Sequence, residues 1–189
     1  MSADPYVDPQ TGLLTNLLGI IEQEELARAE AHLTTLALYR LDRRGLPGKY
    51  DLDHFCAFHR AIFGDIYAWA GQLRTVTIAK GDIFCLPQFI ESFGADIFAR
   101  LAREGVLRGL GREPFLDRLT YYFGEVNALH PFREGNGRTQ RAFWGQLARE
   151  AGHPIRWQRL ERERNLEASI ASMRGDPEPL RKLLAELTE

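Results

Sequence analysis

Residues 130–141 read HPFREGNGRTQR and bring together residue types that handle phosphate chemistry. His130 can accept a proton near neutral pH. Gly135 and Gly137 permit backbone angles and close approaches that side chains would block. A helix that begins at these glycines would point its unpaired N–H groups back at the loop, which creates a binding site for phosphate.

Three charged side chains add to this chemistry. Arg138 and Arg141 lie three residues apart, so on a helix they share a face and can bind further phosphate oxygens with fork geometry. Glu134 would repel those oxygens unless Mg²⁺ lies between them. A metal, an anion site, two arginines and a base together indicate phosphoryl or nucleotidyl transfer. The alternative interpretation is a glycine-rich helix start with solvated arginines and a capping glutamate, and the GNG triplet alone does not exclude it.

The chain on both sides of this segment has helical periodicity. Pro131 disfavours the α conformation at His130, so the preceding helix should end at or near that histidine. Apolar spacing and capping residues predict an all-α chain. The predicted helices cover 22–41, Asp51 to Ile62, 89–101, Pro114 to Val126, a start at 135–138 running to Gly152, 160–173, and a last helix from Pro177 or Pro179.

One segment, 73–87, has the pattern of a β-hairpin instead. Residues 73–78 alternate and are rich in β-branched side chains, residues 80–82 form a turn signal, and a second apolar run follows at 83–86. Residues 1–21 have turn chemistry and a short apolar stretch, which predicts an N-terminal arm packed on the body.

Length and composition exclude several classes of protein. A chain of 189 residues with 44% hydrophobic and 26% charged residues is typical of one globular domain, here 1–189. A net charge of −2 gives no general attraction for nucleic acid or an anionic membrane. The sequence has no apolar run of about 18 residues. It also lacks a secretory signal pattern and cysteine spacing typical of a disulfide framework, so we expect a cytoplasmic protein.

The twelve residues 130–141 resemble the signature of the Fic family, HPFx[D/E]GNGRxxR, at every specified position. Residues 63–71, Lys80 and Gly81 are similar to the stretch that leads to this family's flap hairpin. Residues 6–20 are similar to the start of stand-alone bacterial Fic toxins and of related effector Fic domains. The resemblance implies the Fic fold, a helical bundle in which a small β-hairpin flap lies beside the active-site loop.

The same resemblance implies a protein adenylyltransferase, which moves AMP from ATP onto a hydroxyl of another protein. His130 would be the catalytic base, and Glu134 would hold Mg²⁺. The nucleotide and phosphate-binding residues would be Gly135, Asn136, Gly137, Arg138 and Arg141. The flap would pair its main chain with a segment of the target, which is β-augmentation. The flap residues that would bind the target are Thr75, Val76, Thr77, Ile78, Lys80, Gly81 and Phe84.

Control of the enzyme is also implied by the resemblance. In the family an inhibitory helix with the motif [S/T]xxxE[G/N] places its glutamate against the second motif arginine, here Arg141. No serine or threonine in these 189 residues fits that motif. The chain resembles the branch whose inhibitor is a separate small helical antitoxin, so we expect a toxin inhibited in trans. For such toxins the expected targets are subunits of DNA gyrase or topoisomerase IV.

Other functions stay open from the sequence. One branch of the superfamily phosphorylates its target, but it has lysine where this chain has Gly137. Transfer of another nucleotide or of phosphocholine would use the same phosphate contacts. A non-catalytic binding module should have lost the base, the metal ligand or an arginine, and none is missing.

Two further groups of aromatic residues are interpreted as packing residues. His54 and His59 lie about 140° apart around the predicted helix, so they cannot share a metal. Tyr67 and Trp69 are expected in the core, with a part in the substrate groove as the alternative.

Overall fold

The computed structural model describes residues 4–189, and the all-α prediction is confirmed. A two-stranded β-hairpin and two short 3-10 turns interrupt the helices. The helices are α1 (Gln23–Arg44), α2 (Leu52–Phe63), α3 (Pro87–Arg103), α4 (Arg112–Leu129), α5 (Asn136–Glu150), α6 (Arg162–Met173) and α7 (Glu178–Leu187). In the described part of the chain, no helix has both the length and the apolar character needed to cross a membrane.

The main core surrounds α4, which packs against α3, α5, α6 and α7. Its buried residues lie at 115, 116, 119, 120, 122, 123, 126 and 129, so they extend beyond one narrow stripe, as a helix covered on several sides requires. Phe143 and Trp144 of α5 are fully buried in the same cluster. The core therefore fixes the two helices that precede and follow the loop 130–135.

A second, smaller core joins the N-terminal arm to the helices around the loop. Tyr6 of the arm meets Trp69 edge to face, with ring centroids 5.5 Å apart. The backbone N–H of Leu17 donates to the carbonyl of Ile66 at 2.7 Å. The arm thus packs beside the segment that leads into the hairpin.

Two helix ends illustrate how local signals set the elements. The Asp51 carboxylate accepts a hydrogen bond from the N–H of His54 at 2.8 Å and caps α2, as predicted. Helix α1 runs to Arg44, three residues beyond the predicted end at Leu41. It ends only at Gly45, which adopts φ 66°, because nothing before that glycine disfavours helical backbone.

The hairpin is much shorter than predicted. Its strands are β1 (Ala79–Lys80) and β2 (Asp82–Ile83), and Gly81 turns the chain between them with φ 82°. The prediction of a strand over 73–78 is wrong, because these residues form no ladder. Instead the buried Arg74 guanidinium binds the carbonyls of Val76 and Cys85, at 2.7 and 2.6 Å, and bridges the two arms.

Candidate active site

The loop between α4 and α5 is bounded by two residues in the left-handed region. His130 ends α4 with φ 43° and ψ 61°, a conformation that is uncommon for a residue with a side chain. Gly135 begins α5 with φ 80°. Pro131 disfavours further helix at His130, and the glycine allows the return turn. The sequence thereby places the histidine and the first turn of α5 at one loop.

The ring of His130 is buried, and one hydrogen bond determines which of its nitrogens carries the hydrogen. Its Nδ1 lies 3.2 Å from the carbonyl of Asn127, which can only accept, so Nδ1 carries the hydrogen and Nε2 is free to take a proton. Burial lowers the pKa of His130 to about 4, and the charges of Lys80 and Arg74 act in the same direction. The Phe84 ring stacks on it at 3.8 Å. His130 is therefore a neutral base at pH 7.

Arg74, which sequence reasoning missed, joins the hairpin segment to this loop. Its side chain is buried, and Nε donates to the carbonyl of His130 at 2.8 Å. Its backbone N–H donates to the carbonyl of Pro131, also at 2.8 Å. One sequence signal indicates it: residues 74, 76 and 78 alternate with exposed residues, so Arg74 is expected on the same inward-facing side as Val76 and Ile78.

His59 is a packing residue, as predicted, and it also forms a hydrogen bond with the loop 130–135. Its Nδ1 accepts a hydrogen bond from the N–H of Gly71 at 2.8 Å, so Nε2 donates to the carbonyl of Glu134 at 3.0 Å. The ring stacks on Phe132 with centroids 3.9 Å apart. Burial lowers the pKa of His59 to about 4, which keeps this pattern of donors at neutral pH.

Asn136 closes the loop with its side chain. Its Oδ1 accepts from the N–H of Phe132 at 2.9 Å, and its Nδ2 donates to the carbonyl of Phe132 at 2.7 Å. Both ends of the amide are thus engaged with the fully buried Phe132. The side chain of Asn136 is therefore not available to a phosphate, and only its backbone N–H could bind one.

The first turn of α5 presents a group of unpaired donors. Within residues 4–189, the backbone N–H groups of Asn136, Gly137 and Arg138 have no hydrogen-bond partner. A Cβ on Gly137 would lie 3.3 Å from Nη1 of Arg141, so that guanidinium lies against the same turn. No carboxylate of the described chain lies within 4.0 Å of Arg141. The three unpaired N–H groups and the unpaired Arg141 guanidinium therefore lie together at the start of α5.

Glu134 lies beside these donors. Its Oε1 accepts from the N–H of Gly135 at 2.8 Å and lies 3.6 Å from Nη2 of Arg138. Its side chain is 42% exposed, and Oε2 has no hydrogen-bond partner among residues 4–189. One carboxylate oxygen is thus unpaired beside the first turn of α5.

Arg138 is held by residues that the sequence analysis did not connect with it. Its guanidinium lies 4.6 Å above the ring of Phe63. Its Nη2 donates to Oε1 of Glu30 at 2.8 Å. Glu30 lies on α1, far from the loop in sequence, and only the fold brings it there.

The predicted flap residues lie along one exposed edge next to His130. Thr75, Thr77, Lys80 and Gly81 are exposed, Val76 and Ile78 are half-buried, and Phe84 is buried on the His130 ring. In the part of the chain that the structure describes, neither the N–H nor the C=O of Thr77 has a hydrogen-bond partner. This edge can therefore accept an extended segment of another chain.

Comparison with known proteins supports the same assignment of fold and family. Residues 49–148 match the Fic/DOC family. The "Protein adenylyltransferase VbhT" of Bartonella schoenbuchensis is 48% identical over 190 residues, covering 100% of this chain and 40% of that protein. The "Probable protein adenylyltransferase Fic" of Salmonella typhimurium is 40% identical over 185 residues, covering 95% of this chain and 90% of that protein.

A solved structure has the same architecture. The N-terminal Fic domain of a VirB-translocated Bep effector protein from Bartonella quintana, with bound ADP, superposes with a TM-score of 0.89 at 28% identity. The match covers 97% of this chain and 94% of that chain. Sequence, fold and the geometry of loop 130–141 agree, and the chain belongs to the Fic/DOC family.

Proposed function

We propose that this protein is a protein adenylyltransferase, which transfers AMP from ATP to a hydroxyl side chain of a target protein. The observation that carries the proposal is the pairing of an unprotonated Nε2 on His130 with the free N–H groups of α5. The names of the two relatives, both protein adenylyltransferases, and the ADP in the Bartonella quintana structure support an adenine nucleotide as substrate.

The residues have distinct tasks in this reaction. Nε2 of His130 takes the proton of the target hydroxyl, whose oxygen forms a bond to the α-phosphorus. The bond between the α-phosphorus and the oxygen bridging to the β-phosphate breaks, and pyrophosphate leaves. The N–H groups at the start of α5, with Arg138 and Arg141, stabilise the negative charge that develops on the leaving group.

Glu134 fits the role of a Mg²⁺ ligand. Mg²⁺ is usually held by one or two carboxylates together with substrate phosphates. The described residues contain no cluster of three or more His, Cys, Asp or Glu side chains, so the nucleotide would supply most ligands. Oε2 of Glu134, which has no partner among residues 4–189, would hold the ion. When bound, the ion would neutralise part of the phosphate charge.

The edge at Thr77 supports target binding through main-chain hydrogen bonds, with the exposed side chains of Thr75 and Lys80 beside it. The resemblance to stand-alone bacterial Fic toxins supports a subunit of DNA gyrase or topoisomerase IV as the target. An ATP-dependent enzyme with such a target would act in the cytoplasm.

We also propose that a small helical antitoxin inhibits the enzyme in trans. A groove of about 540 Å³ between α1 and α5 reaches Arg141, and Leu38, Tyr39 and Trp157 line it. A helix in this groove would cover apolar surface and could place a glutamate on Arg141, which a guanidinium binds in fork geometry. That glutamate would compete with the terminal phosphate of ATP.

Pyrophosphate release tests the catalytic proposal against a binding module of the same fold. The purified protein, ATP, Mg²⁺ and a bacterial lysate should release pyrophosphate in step with labelling of a target band. ATP binding in calorimetry without pyrophosphate release would favour the binding module.

A growth assay tests the toxin role. Expression of the protein alone should slow growth, and co-expression with the neighbouring small open reading frame should restore it. Harmless expression of a folded, ATP-binding protein would contradict the toxin role.

A further inference from the structure

Glu30, on α1, makes a partly buried ion pair with a motif arginine although it lies outside the motif. Its Oε1 lies 2.8 Å from Nη2 of Arg138, and the two side chains are only 17% and 23% exposed. Its other oxygen, Oε2, accepts a hydrogen bond from the hydroxyl of Tyr67. Burial and this hydrogen bond raise the pKa of Tyr67, which keeps its hydroxyl protonated and donating. Both carboxylate oxygens are thus fixed.

Contacts on several sides restrain the Arg138 guanidinium. The cation lies 4.6 Å above the ring of Phe63, and Nη1 is 3.4 Å from the hydroxyl of Thr34. Nη2 lies between two carboxylates, 2.8 Å from Glu30 and 3.6 Å from Glu134. An arginine has five N–H donors, so the pair with Glu30 leaves others available for phosphate oxygens.

A fixed arginine binds phosphate with a smaller entropy cost than a mobile one, because its rotamer is already selected. The ion pair with Glu30 also matters for Glu134, the carboxylate assigned to Mg²⁺. Without Glu30, Glu134 would be the acidic group nearest to Arg138, and the guanidinium would move onto it. That movement would take Arg138 away from the phosphates, and it would also occupy the Glu134 carboxylate that is assigned to Mg²⁺.

We propose that Glu30, oriented by Tyr67, is a positioning residue that aims Arg138 at the phosphates of the nucleotide and keeps it away from Glu134. This inference rests on the proposed function, because it assumes that the site binds ATP with Mg²⁺. It adds a residue of α1 to a site whose other groups come from the motif, the hairpin segment and α2.

The test is the affinity of the Glu30→Gln variant for ATP with Mg²⁺ and for AMP, measured by calorimetry. Glutamine keeps the shape but cannot hold the cation as an ion pair. The Kd for ATP should rise about tenfold, which is about 1.4 kcal/mol. The Kd for AMP should stay unchanged, because AMP lacks the phosphates beyond the α position.

A matched control lies on the same helix. Asp42 pairs with Arg149 at 3.0 Å, but these side chains are 72% and 45% exposed, so Asp42→Asn should leave both affinities unchanged. Tyr67→Phe keeps the ring and removes the hydroxyl, and should weaken ATP binding in the same direction by a smaller factor. It also serves as the test should Glu30→Gln fail to fold.

Three results would overturn the proposal. ATP affinity equal to that of Asp42→Asn would show that Glu30 does not act through Arg138. Equal losses for ATP and AMP would indicate a general structural role, and tighter ATP binding would indicate that Glu30 competes with phosphate. The readout is nucleotide binding, so a wild-type protein that binds ATP but transfers nothing would refute the proposed function without affecting this test.

Discussion

Replacing Gly135 by alanine tests whether the packing under the loop shapes the site. Gly135 has φ 80°, and a Cβ built on it would lie 2.3 Å from both Cε2 and Cζ of Phe63. The Phe63 ring is fully buried, so it cannot turn away into solvent. The same ring lies under the Arg138 guanidinium at 4.6 Å. Alanine should therefore disturb both the fold and the arginine.

The expected loss of stability has two parts. A residue with a Cβ in the left-handed region costs about 1–2 kcal/mol. Overpacking against a buried ring typically costs about 1–3 kcal/mol more. Gly109 offers a matched control, because it has φ 75° and nothing within 4 Å of a built Cβ. Gly109→Ala should show the first cost alone.

Urea unfolding of the two variants measures the difference. Gly135→Ala should lose about 1–3 kcal/mol more free energy of unfolding than Gly109→Ala. It should also bind ATP more weakly, because Phe63 must shift under Arg138, whereas Gly109→Ala should bind as the wild type does. Equal unfolding free energies and equal ATP affinities for the two variants would refute the role assigned to Phe63.

Three further predictions concern the base, the metal ligand and the flap. Transfer should stay level as pH falls from 8 to about 5 and decrease as His130 is protonated through its pKa of about 4, because only the neutral ring accepts a proton; a midpoint near 6.5 in the rate profile would contradict this. Glu134→Gln should weaken Mg²⁺-dependent ATP binding and leave the melting temperature of the nucleotide-free protein unchanged, whereas a melting temperature many degrees lower would indicate a structural cap. Thr77→Pro should abolish transfer to the target while ATP binding persists, because proline removes an N–H that the target strand would use; unchanged labelling would exclude this edge.

The parts of the site that lie within residues 130–141 could be predicted because their causes are local. Pro131 ends one helix, and Gly135 allows the turn that starts the next. The spacing of Arg138 and Arg141 puts them on one helical face. These effects need only neighbouring residues, so the sequence carries them directly.

The supporting residues could not be predicted in the same way, because their partners are distant in sequence. Arg74 reaches the carbonyl of His130 across 56 positions, His59 reaches that of Glu134 across 75, and Glu30 reaches Arg138 across 108. The parity of Arg74 with Val76 and Ile78 indicates only that its side chain faces inward, and it does not say which group the side chain binds. Only the packing of α1 and α2 against α5 reveals what these side chains hold.

The predicted strand over 73–78 failed for a related reason. Alternation indicates that one face is buried, but it does not say which group satisfies the backbone. Here the Arg74 guanidinium binds carbonyls on both arms, so the ladder is confined to the tip at 79–83. The edge of Thr77 stays open as a result, which is the feature that target binding needs.

The central claim is that the α-phosphoryl group, with its adenosine, moves to a protein. The direct test compares ATP labelled at the α-phosphate with ATP labelled at the γ-phosphate, using the wild type and His130→Ala with a bacterial lysate. We expect a labelled protein band from α-labelled ATP only, reduced about 10²–10⁴-fold in His130→Ala while the ATP affinity of this variant is retained. A band labelled from γ-labelled ATP, or equal labelling by His130→Ala, would contradict it.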